Sequence, residues 1–166
     1  LQDGQEWPFI KTTYTQTLQV GVTTYSFPAD YSSTDWDTFY IKQLASKVNT
    51  PAVLKPMPYE EYTQSHRSAD DVAPATGLSA PTQVFQTYDT SFGVTPVPDA
   101  TYEVEYTYWS TPASLNLFDD VSIIPERFSH VVIDGAMMYM MQFRSNAQSA
   151  QMHQASFEDG IKAMRN

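Results

Sequence analysis

Two hydrophobic periods divide this chain. Between Ala100 and Ser110, Tyr102, Val104, Tyr106 and Tyr108 alternate with Glu103, Glu105, Thr107 and Trp109. That period of two predicts a half-buried strand, the clearest in the sequence. Lys11–Val20 alternates in the same way, with Tyr14, Leu18 and Val20 on one face and Thr13, Thr15, Thr17 and Gln19 on the other. Gly21 follows, and Val22–Phe27 resumes with β-formers, so the pattern predicts a hairpin turning near Gly21. Thr38–Leu44, Thr82–Tyr88 and Ser91–Val94 read as further short strands. Tyr59–His66 reads as part of a short helix over 58–66, and the small, polar stretch 67–81 as a long loop.

From Pro125 the period changes to 3.6. Phe128, Val131, Val132, Met137, Tyr139, Met140, Phe143, Ala147 and Ala150 form one apolar stripe, which Phe157, Ile161 and Met164 extend. Pro125-Glu126 suits a helix start, because proline lacks only an N–H that is unpaired there anyway. At about 1.5 Å per residue the 125–166 segment would span about 60 Å as one helix, so it must pack on something else or bend. Gly160 and the Ser145-Asn146 stretch are the two candidate bends. Met137, Met138, Met140 and Met141 cover more than one face, which fits core filling or an adaptable contact surface. The expected fold class is α+β: an antiparallel β-sandwich or barrel-like domain over 1–124, then a long C-terminal helix over 125–166. Trp7 and Phe9, around Pro8, together with Tyr106 and Trp109, are expected to anchor the β domain.

Composition sharpens this division. All eleven prolines lie at or before Pro125, and ten of the eleven tyrosines at or before Tyr108. The net charge of −10 falls wholly on residues 1–124, with 15 acidic and 5 basic side chains, against four of each in 125–166. An acidic domain is a poor nucleic-acid binder, since phosphate neutralisation needs clustered Lys and Arg. It suits a solvated surface, or one that lies beside DNA without holding it. With no cysteine, disulfides and thiolate metal sites are excluded. No run reaches the length of a membrane span.

Candidate chemistry is sparse. His66, His130 and His153 are far apart and lack metal-ligand spacing. Asp35 and Asp37 lack the further oxygen ligands and glycine turn of a calcium loop. No phosphate-binding glycine loop or nucleophile elbow is present. The reading is therefore no catalytic residue, no metal and no cofactor.

The ordered set of segments points elsewhere. Trp7-Pro8-Phe9, the threonine-rich pair ending in Tyr25-Ser26-Phe27-Pro28-Ala29-Asp30, Pro96-Val97-Pro98-Asp99-Ala100-Thr101-Tyr102, Tyr108 through Leu115, and Ile124-Pro125-Glu126-Arg127-Phe128 follow one another along the chain. In that order and spacing they resemble the head-to-tail adaptor proteins of tailed bacteriophages. Such proteins start with helices ahead of the W-P-F segment. Only Leu1–Glu6 precede it here, so the resemblance implies that those helices are missing from this sequence.

The resemblance implies a non-enzymatic homo-oligomeric ring, a dodecamer, docked under the portal protein and contacting a tail or nozzle protein. DNA would pass through without specific binding, and no membrane is involved. The implied location is the head–tail interface of the virion, after assembly in the cytoplasm of the bacterial host. Portal contact is expected at Phe157, Ile161, Met164 and Arg165, and inter-subunit or helix packing at Met137, Tyr139, Met140 and Phe143. Two other readings compete: a carbohydrate-binding β-sandwich stacking sugars on Trp36, Trp109 and tyrosines, and a glycan-cleaving tail protein. The long amphipathic tail counts against the first, and the lack of a privileged carboxylate pair against the second.

Overall fold

The computed structural model describes residues 7–43, 52–88 and 90–165. Among the described residues nine strands run in chain order: β1 (Lys11–Leu18), β2 (Thr24–Ser26), β3 (Tyr31–Thr34), β4 (Tyr40–Gln43), β5 (Ala52–Val53), β6 (Lys55–Met57), β7 (Gln83–Tyr88), β8 (Ser91–Thr95) and β9 (Tyr102–Ser110). The helices are α1 (Tyr59–Ser65), α2 (Arg67–Thr76), α3 (Ser129–Phe143) and α4 (Ala147–Arg165). The fold is α+β, with two sheets that do not close into a barrel. Two compact units form, Lys11–Thr111 and Leu1–Ile10 with Pro112–Asn166.

The β unit is organised by β9. One edge pairs antiparallel with all of β1, from Lys11↔Trp109 to Leu18↔Tyr102. Its other edge takes β3 and then β4, with β5 beyond. Between β3 and β4 a 3-10 turn at Trp36–Thr38 interrupts the ladder, and side chains fill the gap. The Thr107 N–H donates to Thr38 Oγ1 at 3.0 Å, and Thr34 Oγ1 donates to the Thr107 carbonyl at 2.8 Å. The second sheet has the order β2-β8-β7-β6.

Both sheets contribute to one aromatic core. Tyr106, from the first, stacks at 4.7 Å on Phe39, which directly precedes β4, and Phe92, from β8, meets Tyr106 edge-on at 5.5 Å. The alternation in β9 decides this: Tyr102, Val104, Tyr106 and Tyr108 are buried, whereas Glu103, Glu105, Thr107 and Trp109 remain partly exposed. Burial raises the tyrosine pKa values, to about 12 for Tyr102 and Tyr108, whose hydroxyls donate to Asp99 and Asp30. Tyr106 is pushed up further by the same cause, and its hydroxyl has no hydrogen-bond partner.

The expected hairpin at Gly21 is not formed. β1 belongs to the first sheet and β2 to the second, so Gly21, at φ +77°, turns a corner between sheets. The Tyr25 hydroxyl braces that corner, accepting from the Gln19 N–H and donating to the Val22 carbonyl, each at 2.9 Å. Alternation identifies a strand but not its partner.

Stretch 67–81 also differs from expectation, because α2 occupies Arg67–Thr76. The cause is topological. β6 and β7 pair in parallel, and a parallel pair requires a crossover of a dozen or more residues, usually helical. Within that crossover, Tyr62 of α1 stacks on Phe85 of β7 at 3.8 Å.

The second unit is a helical hairpin. The chain reverses at Arg144–Asn146, where Ser145 takes φ +58°, and the Asn146 side chain accepts the Ser149 N–H at 3.2 Å to start α4. Gly160 is no bend; it lies inside α4 and lets Val131 of α3 approach closely. Gly135 plays the same part for Phe157. Trp7 and Phe9, expected as anchors of the β domain, lie in this helical unit instead. Their rings stack at 5.9 Å and, with Ile10, Pro112, Ile124, Val131, Val132 and Met164, line a small apolar cavity of roughly 20 Å³. Pro8–Ile10 leads straight into β1, so adjacency in sequence suggests the β domain, but the matching apolar surface is on the helices.

Candidate functional site

Among the described residues, no group of three or more histidine or carboxylate side chains is placed to hold a metal ion. One polar cluster does form, and its sequence spacing gave no sign of it. Asp134 of α3 accepts from Ser156 Oγ at 2.6 Å and pairs with His153 Nδ1 at 3.0 Å, both from α4. The serine bond, then the histidine bond, hold this carboxyl below its ordinary pKa. Both groups are spent on the same carboxylate, which is the geometry of an interhelical clamp. In an activated serine the hydroxyl would face the imidazole instead.

The β unit carries an open cleft of roughly 680 Å³, lined by Trp36, Pro56, Met57, Pro58, Tyr59, Glu60, Gln86 and Thr87. Trp36 stacks one indole face on Phe39 at 5.3 Å. Trp109 has the Lys11 ammonium over its ring at 4.8 Å. Each tryptophan proposed as a sugar platform thus has a face already engaged. The outward face of β9 is acidic, with Glu105 paired to Lys42.

The more distinctive surface is on the helical unit. On α3, Val131, Gly135 and Met138 are buried, while Val132, Ile133, Tyr139, Met140 and Phe143 are exposed, Phe143 by 90%. Met137 is half-buried. Of the four residues expected at the portal, Met164 is buried, Phe157 and Ile161 are half-buried, and Arg165 is exposed. Ahead of α3, the connecting segment displays Leu115, Leu117, Phe118, Val121 and Ile123, with Phe118 wholly exposed. This segment is a built turn: the Asp120 carboxylate accepts the N–H groups of Asn116 and Leu117, each at 2.7 Å. Those two bonds hold the Asp120 carboxyl below its usual pKa. Exposure of an isolated Leu or Phe is not legible from type alone.

Fold and surface together describe an α+β protein whose exposed chemistry is apolar contact area on a helical hairpin. A family model described as SU10 adaptor protein matches residues 2–166, and the chain belongs to this family of phage head-to-tail adaptors. It is accordingly a structural adaptor of a bacteriophage, with a location in the virion. No curated protein matches the chain. No helix among the described residues is long and apolar enough to cross a membrane.

Proposed function

We propose that this chain is one subunit of a homo-oligomeric ring, a dodecamer, seated between the portal protein and a tail or nozzle protein and open to passing DNA. The observation that carries this reading is the adaptor-family match over residues 2–166. Physical chemistry supports it. A closed ring uses two different patches on each subunit, and the helical unit displays two apolar ones. The net charge of −10 gives DNA a repelling wall, through which it slides without being held.

Portal contact falls at the C-terminal end of α4 and is made there by Arg165. Phe157, Ile161 and Met164 serve it indirectly, by fixing α4 against α3. The test is a tagged pull-down from phage-infected host lysate, with proteins identified by mass spectrometry. Stoichiometric recovery of a portal protein and a tail or nozzle protein is expected. Recovery of neither, at salt low enough to keep weak contacts, would sink the reading.

A further inference from the structure

We propose that the outward face of α3 is the docking surface for a second copy of this chain, and that it receives that copy's Leu117-Phe118 turn. The inference deepens the ring reading above and rests on it.

A helix that is apolar all round is stable only when buried on all sides. Between Val131 and Met141 the one charged residue is Asp134, and its carboxylate is turned to His153 and Ser156 on α4. The opposite face of α3 therefore carries no charge. Val132, Ile133, Tyr139, Met140 and Phe143 lie there 47%, 61%, 68%, 39% and 90% exposed. Those fractions leave on the order of 600 Å² of side-chain surface, at the upper end of what a monomer exposes in one patch. Leu115, Leu117, Phe118, Val121 and Ile123 present a similar area, roughly 600 Å². Each is near the roughly 800 Å² per partner of a standard stable interface.

Charge selects the occupant. Copies that each carry −10 repel one another, so they can meet only where charge is absent or complementary. The α3 face is uncharged, and Arg144 sits at its end, directly after Phe143. The turn carries Asp119 directly after Phe118. Phe118-Asp119 of one copy thus matches Phe143-Arg144 of the next, apolar on apolar and acid on base. The Asp120 bonds shape the turn before it docks, which lowers the ordering cost of binding. The two patches differ, so the contact is heterologous and can propagate from copy to copy.

The test is sedimentation of the purified chain, alone and with purified portal protein, for wild type, Phe118→Asp, Phe143→Asp and the control Met152→Asp on α4. Wild type and Met152→Asp are expected to form higher-order species, and the two Phe variants to stay monomeric with unchanged melting. The chain has no cysteine, so Phe118→Cys chains mixed with Phe143→Cys chains supply a second readout. Under oxidation the mixture is expected to give a disulfide-linked pair at a yield that neither variant reaches alone. A wild type that stays monomeric even with portal, Phe variants that assemble as wild type does, or no mixed pair would overturn the inference. Loss of portal capture by the Phe variants with self-assembly unchanged would overturn it while leaving the adaptor reading intact. Self-assembly blocked by the Phe variants, with no portal captured by wild type, would support the surface and sink the adaptor reading instead.

Discussion

The crossing of α3 over α4 permits a quantitative test at Gly160. A Cβ added there would lie 2.4 Å from Val131 Cγ2, 3.2 Å from Cγ1 and 3.3 Å from Cβ. Carbon atoms prefer about 3.5–4.0 Å, so Gly160→Ala drives the new methyl more than about 1 Å into Val131. Val131 is 1% exposed and β-branched, so it has little room to turn aside. Overpacking costs about 1–3 kcal/mol, and a clash this deep into a side chain with no room to turn belongs to the upper part of that range, about 2–3 kcal/mol. Against it stands the helix-propensity gain of alanine over glycine, about 1 kcal/mol. The net expectation is a loss of about 1–2 kcal/mol, read as a fall of about 2–8 °C in the helical melting transition for a chain of this size. Circular dichroism in the far ultraviolet is the assay. Val131→Ala in the same chain removes the obstructing methyls, and the double variant should exceed the sum of the singles by about 1–2 kcal/mol. If Gly160→Ala melts at or above wild type, the propensity gain is unopposed and the two helices do not approach at Gly160.

Two tyrosines on one strand face predict opposite outcomes. The Tyr106 hydroxyl is buried without a partner, so Tyr106→Phe should raise stability by about 1 kcal/mol in denaturant unfolding. The Tyr108 hydroxyl bonds Asp30 at 3.0 Å, and Tyr108→Phe should lower it by about 1–2 kcal/mol; equal effects would refute the assignment. The interhelical clamp predicts acid sensitivity. Because Asp134 has a lowered folded-state pKa, its contribution is present above the ordinary carboxylate value of about 4 and lost as pH falls through the lowered one. Melting of the hairpin should therefore drop more steeply on acidification in wild type than in Asp134→Asn, and parallel slopes would count against the clamp.

Much of the fold can be read directly from residue order. The alternation of Tyr102, Val104, Tyr106 and Tyr108 determines which face of β9 is buried, because strand geometry sends successive side chains to opposite sides whatever the partner. The change of period at Pro125 likewise determines that strands give way to helices. Partnership was not legible. β1 joins β9 across most of the chain, and nothing local to Gly21 distinguishes a hairpin from a corner between sheets. The parallel pairing of β6 with β7 is equally non-local, and it is what turns 67–76 into part of a helical crossover.

The same limit applies to the surfaces. Periodicity assigned Met164, Phe157 and Tyr139 to a single stripe. In the structure Met164 closes a cavity with Trp7, Phe157 rests on Gly135, and Tyr139 faces outward. A helical repeat determines which residues share a face. Which faces meet depends on the reversal at Ser145, because only that turn decides where α4 lies against α3. The sequence by itself determined the buried face of β9, the helical tail and the family. The tertiary structure decided which apolar residues are consumed within the chain and which are left for a partner, since burial depends on neighbours that the chain brings together only when it folds.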